Sequence, residues 1–254
     1  MKSAFSSKVR TLQLIALTNL CLSLLGLYYY GTSLLWGAVL MYFVFACLGI
    51  TVTFHRYLTH KSFMLSKTLE RVFSIFGTLS GTGSTIAWVA THFNHHRFSD
   101  RPSDPHSPKY TGWKMFTLDY TKQDDVRRYM KGLLKDPFHQ FIHRYYLLIH
   151  LIYASVLLAI SFEALVFFYS LPVVIVIIMS NVVNYVGHNY KIPGGYRSYN
   201  LNDDSSNNPL FSLVTFGESM HNNHHRFPKS TTTGTKWYHF DISGWVINLV
   251  RADK

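Results

Sequence analysis

The sequence predicts an all-α integral membrane protein. Four transmembrane helices in two hairpins carry a cytoplasmic histidine-rich cap and interfacial helices, all in one domain over 1–254. Three observations predict it. Two long runs lack charge, Lys and Arg avoid both hairpin turns, and nine histidines cluster at the ends of those runs.

Between Arg10 and Arg56 there is no charged residue, and between Arg144 and Lys191 only Glu163. Each run accommodates two passes of about 20 residues through a hydrocarbon layer about 30 Å thick. The first hairpin is expected as helices at about 11–30 and 34–54, turning at Gly31, Thr32 and Ser33. The second is expected as helices at about 145–162 and 166–187, with Pro172 in the first turns of the latter. Lys8 and Arg10 precede an apolar stretch that is too long for a signal peptide and has no small-residue cleavage site, so a membrane anchor is expected. Of 24 Lys and Arg, three lie at 1–10, thirteen at 55–143, one at Arg144 and seven at 188–254. Neither turn has any, which places both termini and the cap (55–143 and 188–254) in the cytoplasm. The net charge of +11 then suits anionic headgroups or an acidic protein partner, with no need of nucleic acid. Cys21 and Cys47 fall inside the helices and read as small packing residues without a disulfide.

The 72–90 stretch is apolar but interrupted by Gly77, Gly81, Gly83 and several Ser and Thr. A fifth crossing there would strand one histidine cluster across the membrane from another, so the stretch is read as interfacial or re-entrant. Ile242–Val250 is too short to span and reads as interfacial.

The clusters are His-Arg-Tyr-Leu-Thr-His at 55–60, His-Phe-Asn-His-His at 92–96 and His-Asn-Asn-His-His at 221–225, with His188 closing the last apolar run. The four-helix topology brings all of them to one membrane face. In His-x-x-His-His the spacings i, i+3 and i+4 put imidazoles on one helix face. His92 is thus expected to point with His95 and His96, and His221 with His224 and His225. His55 and His60, five apart, suit a ligand at a helix end and another just beyond it. Neutral imidazole suits iron, copper, nickel and zinc, and so many imply at least two metal ions. Asn184, one turn before His188, could ligate weakly or hold a water. His106, His139, His143, His150 and His239 lack this context and read as ordinary surface or core histidines, and Asn94, Asn222 and Asn223 as structural. No His-Glu-x-x-His occurs, which removes the metalloprotease motif. Only Glu70, Glu163 and Glu218 exist, too few for a carboxylate-bridged site built from Glu-x-x-His pairs.

With HRYLTH at 55–60, THFNHHRFSDRPSDPHSP at 91–108 and YRSYNLNDDSSNNPLFSLVTFGESMHNNHHRFP at 196–228, the chain resembles the integral-membrane fatty acyl desaturases of the Δ9-like acyl-CoA and acyl-lipid group. The likeness runs from the second helix onward, weakly through WYHFDISGWVI at 237–247. It implies a di-iron enzyme, two irons being held by His55, His60, His92, His95, His96, His188, His221, His224 and His225, with Asn184 reaching one through a water. It further implies that O2 as co-substrate and two electrons remove two hydrogens from a saturated acyl chain, leaving a cis double bond. The electrons would come from cytochrome b5 or a ferredoxin and its reductase, docking from outside, because Pro-Gly-Gly at 193–195 lacks the preceding haem histidine. Phe93 stands where the family usually has Arg, and Ser219 and Met220 where Gly-Trp is usual, which bears on substrate preference rather than on the ligands. Asp104 can orient a ligand imidazole or cap its turn. Val39 and Phe43 are expected to close an acyl tunnel among the helices. A membrane di-iron hydroxylase or monooxygenase on an alkane, sterol or carotenoid shares the histidine boxes, while the Asp-Pro-His-Ser-Pro and Ser-Asn-Asn contexts favour desaturation. A non-enzymatic metal transporter would carry ionisable ligands within its spans, and here they sit at the rim. A bacterial inner membrane is the expected location.

Overall fold

The computed structural model describes residues 2–112, 115 and 125–252. Among the described residues three helices are long and apolar enough to cross a membrane. The first candidate span, Val9–Tyr30, lies within α1, Lys2–Tyr30. The others are α2, Leu35–Thr59, and α9, Phe162–Gly187. The fourth expected pass is a bent pair: α7, Pro137–Arg144, meets α8, Tyr146–Ile160, at 71°. At 15 residues α8 alone is only about 22 Å long, so the expected 145–162 helix is shorter than a bilayer unless α7 completes it. Its end is set by Ser161, whose extended backbone breaks the run and whose hydroxyl caps the Ala164 N–H of α9. That cap also moves the start of the last helix from the expected 166 back to Phe162.

Between the two hairpins lie α3, Lys67–Leu79, and α4, Thr85–Phe98, followed by the short α5, Pro108–Thr111, and α6, Lys131–Lys135. The tail adds α10, His221–Arg226, and α11, Ile242–Val250. Neither α3 nor α4 is a candidate span, in keeping with the reading of 72–90 as a stretch that does not cross. They form a hairpin that enters the bundle. A Cβ on Gly49 of α2 would lie 2.3 Å from the Gly77 nitrogen of α3, so the two backbones touch and only glycine fits. Gly81 and Gly83 turn the hairpin at φ +80° and +122°, Gly81 beside Val173, Ile177 and Ile15 of the long helices.

The turn at 31–33 meets the start of α9 through the Ser33 hydroxyl, which donates to Glu163 at 2.5 Å. Both hairpin turns therefore sit at one end of the bundle. His55 near the end of α2 and His188 just past α9 sit at the other. Phe45, Val52, Leu165, Val173 and Val176 fill the space between the helices, while Leu17, Leu24, Trp36 and Ile160 face outward. A core inside and an apolar exterior is what a bundle in lipid requires.

Candidate metal centre

From Phe43 to Thr59, α2 is wound with i→i−5 hydrogen bonds. The His60 N–H reaches the His55 carbonyl at 3.1 Å, and the Thr53 and Thr59 hydroxyls reach back five residues to Leu48 and Phe54. This winding, common as a local feature at functional sites, stacks residues five apart. His55 and His60 consequently face the same space, ring centroids 4.9 Å apart. A straight α-helix would have splayed them.

All nine clustered histidines converge, and they divide into two groups. His55, His60, His92, His96 and His224 offer nitrogens within 4.8 Å of one another, as do His95, His188, His221 and His225. The expectation that each box points as one unit is corrected. Positions i+3 and i+4 flank position i on opposite sides, about 100° apart. With two sites side by side, α4 gives His92 and His96 to the first group and His95 to the second. α10 does the reverse, giving His221 and His225 to the second and His224 to the first. The two helices thus interlock the groups.

Carboxylates behind the imidazoles fix which nitrogen faces inward. Nδ1 of His55 meets Glu218 at 2.7 Å, His95 meets Asp104 at 3.0 Å, His188 meets Asp100 at 2.6 Å and His225 meets Asp203 at 2.9 Å. A carboxylate only accepts, so each Nδ1 carries the proton, and in the neutral ring each Nε2 keeps its lone pair. Nε2 of His188 and Nε2 of His95 then oppose one another at 3.3 Å. In the first group, neighbouring Nε2 atoms stand 3.0 Å apart from His55 to His224, His224 to His96, His96 to His92 and His92 to His60. Opposed lone pairs repel unless an electron-pair acceptor lies between them. Spacings of about 3 Å are the edges expected between nitrogens about 2.1 Å from a shared ion. The donor set fits two cations.

For six of the nine rings electrostatics agree, while Asp104 raises His95 against its burial. Burial, then crowding by the other imidazoles, holds His92, His96, His221, His224 and His225 well below the usual histidine range and His60 at about 2. Those rings are neutral, the form that ligates. Burial alone would raise Asp104, but His95 and His106 outweigh it and hold the carboxyl at about 2. Glu218 and Asp100 are likewise buried yet kept low, by His55 with Arg56 and by His188 respectively.

A cavity beside the histidines lies between α2, α4 and α9, lined by Trp88, Thr51, Val176, Ser180, Phe216 and Tyr42. Trp88 stacks on His92 with centroids 4.9 Å apart. The structure does not bring Val39 to this cavity: it is 60% exposed on the outer face of α2. Phe43 lies behind the wall, its ring 5.8 Å from Phe216, and Tyr42 takes the lining position, its hydroxyl donating to the Val214 carbonyl. Asn184 lines the cavity, its amide nitrogen 3.4 Å from Nδ1 of His106. His106 lines the same cavity but stands outside both imidazole groups. His139, His143, His150 and His239 do take ordinary places, bonded to Glu70, Ser84, Tyr169 and Tyr196. Asn222 and Asn223 brace the 198–207 loop and Thr233.

Sequence reasoning found Asp104 but missed Glu218, Asp100 and Asp203. The available signal was scarcity: the chain has thirteen acidic residues, and these three fall within a few positions of a histidine box or in the polar 201–208 run. It also missed Arg56, 1% exposed, whose guanidinium forks onto Asp241 at 2.9 and 3.0 Å and reaches Glu218 at 3.0 Å.

Residues 10–242 match the family model for fatty acid desaturase. The chain is 34% identical over 221 residues to an sn-1 stearoyl-lipid 9-desaturase of Anabaena variabilis, covering 84% of this chain and 79% of that one. It is 31% identical over 240 residues to an sn-2 palmitoyl-lipid 9-desaturase of Nostoc sp. (strain 36), covering 91% and 83%. An icosanoyl-CoA 5-desaturase of Limnanthes douglasii is 32% identical over 234 residues, covering 89% of this chain and 65% of that one.

Proposed function

The chain belongs to the fatty acid desaturase family, and from that premise we propose that each imidazole group holds one iron and that the cavity beside them takes a saturated acyl chain. The protein is an oxidoreductase acting on fatty acyl chains. We read its reaction as O2-dependent insertion of a cis double bond. Two hydrogens leave adjacent methylenes, and with two electrons and two protons from outside they reduce O2 to two waters. The relatives named for lipid-borne substrates and position 9 favour an acyl-lipid substrate and that position here.

Supporting the metal reading above all is the pair of opposed lone pairs on His95 and His188, each locked inward by its own carboxylate. The bound irons supply the oxygen activation and redox chemistry that side chains lack. The chain's own residues do the rest. Asp104, Asp100, Asp203 and Glu218 hold their imidazoles in one tautomer and one orientation. Ile50, Val176, Ile177 and Phe216 give the acyl chain an apolar bed and keep water from the reacting carbons. Tyr42 limits how far the chain can run and so which carbons lie beside the histidines. Asn184 and His106 form the polar wall where the cavity meets the four-imidazole group, the place for a bound water.

The apolar helices fit a membrane protein, and we place both termini and the histidine cap on the cytoplasmic side, with α7 and α8 completing a fourth pass. Electrons then arrive from a separate small carrier, cytochrome b5 or a ferredoxin, whose acidic face matches the basic cap. Expression in a host with otherwise saturated membrane lipids, with fatty acids read by gas chromatography–mass spectrometry, tests the proposal. New cis-monoenes from the intact protein and none from His224→Ala are expected. Hydroxylated products instead would transfer the site to hydroxylation.

A further inference from the structure

The two imidazole groups differ in the charge that stands behind them. In the four-imidazole group three of the four rings rest on carboxylates: His95 on Asp104, His188 on Asp100 and His225 on Asp203. The other partners of these acids are neutral. Asp104 accepts the Asp100 and His106 N–H groups, Asp100 accepts the Ser107 hydroxyl and the Asp204 N–H, and Asp203 accepts the Ser205 N–H. Among the described residues no Lys or Arg is ion-paired with any of the three.

In the five-imidazole group, among the described residues, only His55 rests on a carboxylate, and that one is shared with a cation. Glu218 binds the Arg56 guanidinium through Oε1 while Oε2 holds His55. Arg56 is fully buried and also carries Asp241. One site is therefore backed by three unshared negative charges, the other by a carboxylate whose charge is largely cancelled.

A carboxylate on Nδ1 makes the ring a stronger donor, and buried negative charge favours the higher charge on a nearby ion. Resting on the reading that each group holds one iron, we infer that the two irons differ in reduction potential, the one in the four-imidazole group being the harder to reduce, with Asp203, Asp100 and Asp104 setting its value and Arg56 with Glu218 setting that of the other. Each one-electron delivery by the external carrier turns one ferric ion ferrous, and the first goes to the five-imidazole site.

The test uses the full-length protein loaded with iron-57 in lipid nanodiscs, reduced stepwise by dithionite and followed by Mössbauer spectroscopy. Two separate one-electron waves are expected. Asp203→Asn should move the more negative wave upward, changing the oxidised-to-reduced ratio of that iron by about tenfold at a fixed potential, and should leave the other wave in place. Asp100→Asn, at an independent residue, repeats this where Asp203→Asn does not fold. Glu218→Gln should move the more positive wave alone. A single wave for both irons, or Asp203→Asn displacing the more positive wave, overturns the inference while two irons per chain by metal analysis keep the site standing. A chain that takes up no iron sinks the two-iron reading itself.

Discussion

Among the described residues two clusters of histidine and carboxylate invite comparison, and donor spacing alone does not separate them. One is the nine-imidazole centre. The other, beneath the start of α3, joins Glu70, Asp136 and His139, whose donor atoms also lie within 4.8 Å of one another. The difference is in what each atom already faces. Glu70 accepts from Lys67 at 2.9 and 3.0 Å, from the Tyr57 hydroxyl at 3.0 Å and from His139 at 3.0 Å. Lys67 reaches Asp136 as well, and Thr85 takes the far nitrogen of His139. Every acceptor there meets a donor, and an ammonium already sits where a cation would. In the nine-imidazole centre the inward nitrogens of His95 and His188, each backed by a carboxylate, meet as acceptor to acceptor in their neutral form. Unmet complementarity, rather than proximity, marks a place for metal, and a fully met one marks a clasp, here tying α2, α3, α4 and α7.

The largest effect expected from breaking this contrast is at the ligands. His188→Ala should abolish monoene formation, at least about a hundredfold below the intact protein, and cut iron from about two to about one per chain, read by metal analysis. Asp104→Asn comes next. It keeps the shape but surrenders the charge behind His95, so iron affinity should fall by roughly 10–100-fold in a chelator competition while the fold persists. Full iron retention in Asp104→Asn would show that the carboxylate only caps its turn.

The same contrast explains what could be read from the chain alone. The spans of α1, α2 and α9 were legible because lipid demands long uncharged runs, and a missing charge is a one-letter observation. The histidines were legible because ligation repeats a spacing. Their partition was not, since a box of i, i+3 and i+4 says that three rings share a face but not that two neighbouring sites divide it. His55 and His60 were legible as a pair at a helix end and just beyond it, but the i→i−5 winding of α2 that turns both rings into one space was not, because spacing is read on an α-helix. Asp100, Asp203 and Glu218 are brought behind the rings by long-range folding, 88, 22 and 163 positions from the histidines they serve, and no local pattern carries such distances. Tyr42, not Phe43 or Val39, lines the cavity, because the register of a π-wound helix shifts which side chain faces inward.

The clasp should respond to mutation through stability and not through metal. Glu70→Gln leaves His139, Lys67 and Tyr57 without their charged acceptor, an expected loss of about 2 kcal/mol, seen as a lower melting temperature at unchanged iron content. The pH dependence has a definite sign. Burial would raise the Glu70 carboxyl, but hydrogen bonds from His139, Lys67 and Tyr57 overcome it and leave the group below its usual range. A carboxylate held low in the folded state binds fewer protons than in the unfolded chain. Its stabilisation is therefore complete above the unfolded value of about 4.3 and drains away as pH falls through the lower folded value. Melting temperatures of the intact protein and Glu70→Gln should accordingly converge on acidification below about pH 4. A gap that stays constant there would mean that the charge of Glu70 contributes nothing to the clasp.

Lys67→Met is the smallest change and the most telling about the ammonium. Its side chain is 56% exposed, while the Glu70 side chain beneath it is buried. An ion pair open to solvent on one side contributes about 1 kcal/mol or less, and water can take the place of the lost N–H donors, so this variant should melt closer to the intact protein than Glu70→Gln does. Its expected loss is also the one most reduced by salt, because screening acts on the exposed partner. Should Lys67→Met instead cost as much as Glu70→Gln, the ammonium would be an integral part of a desolvated pair.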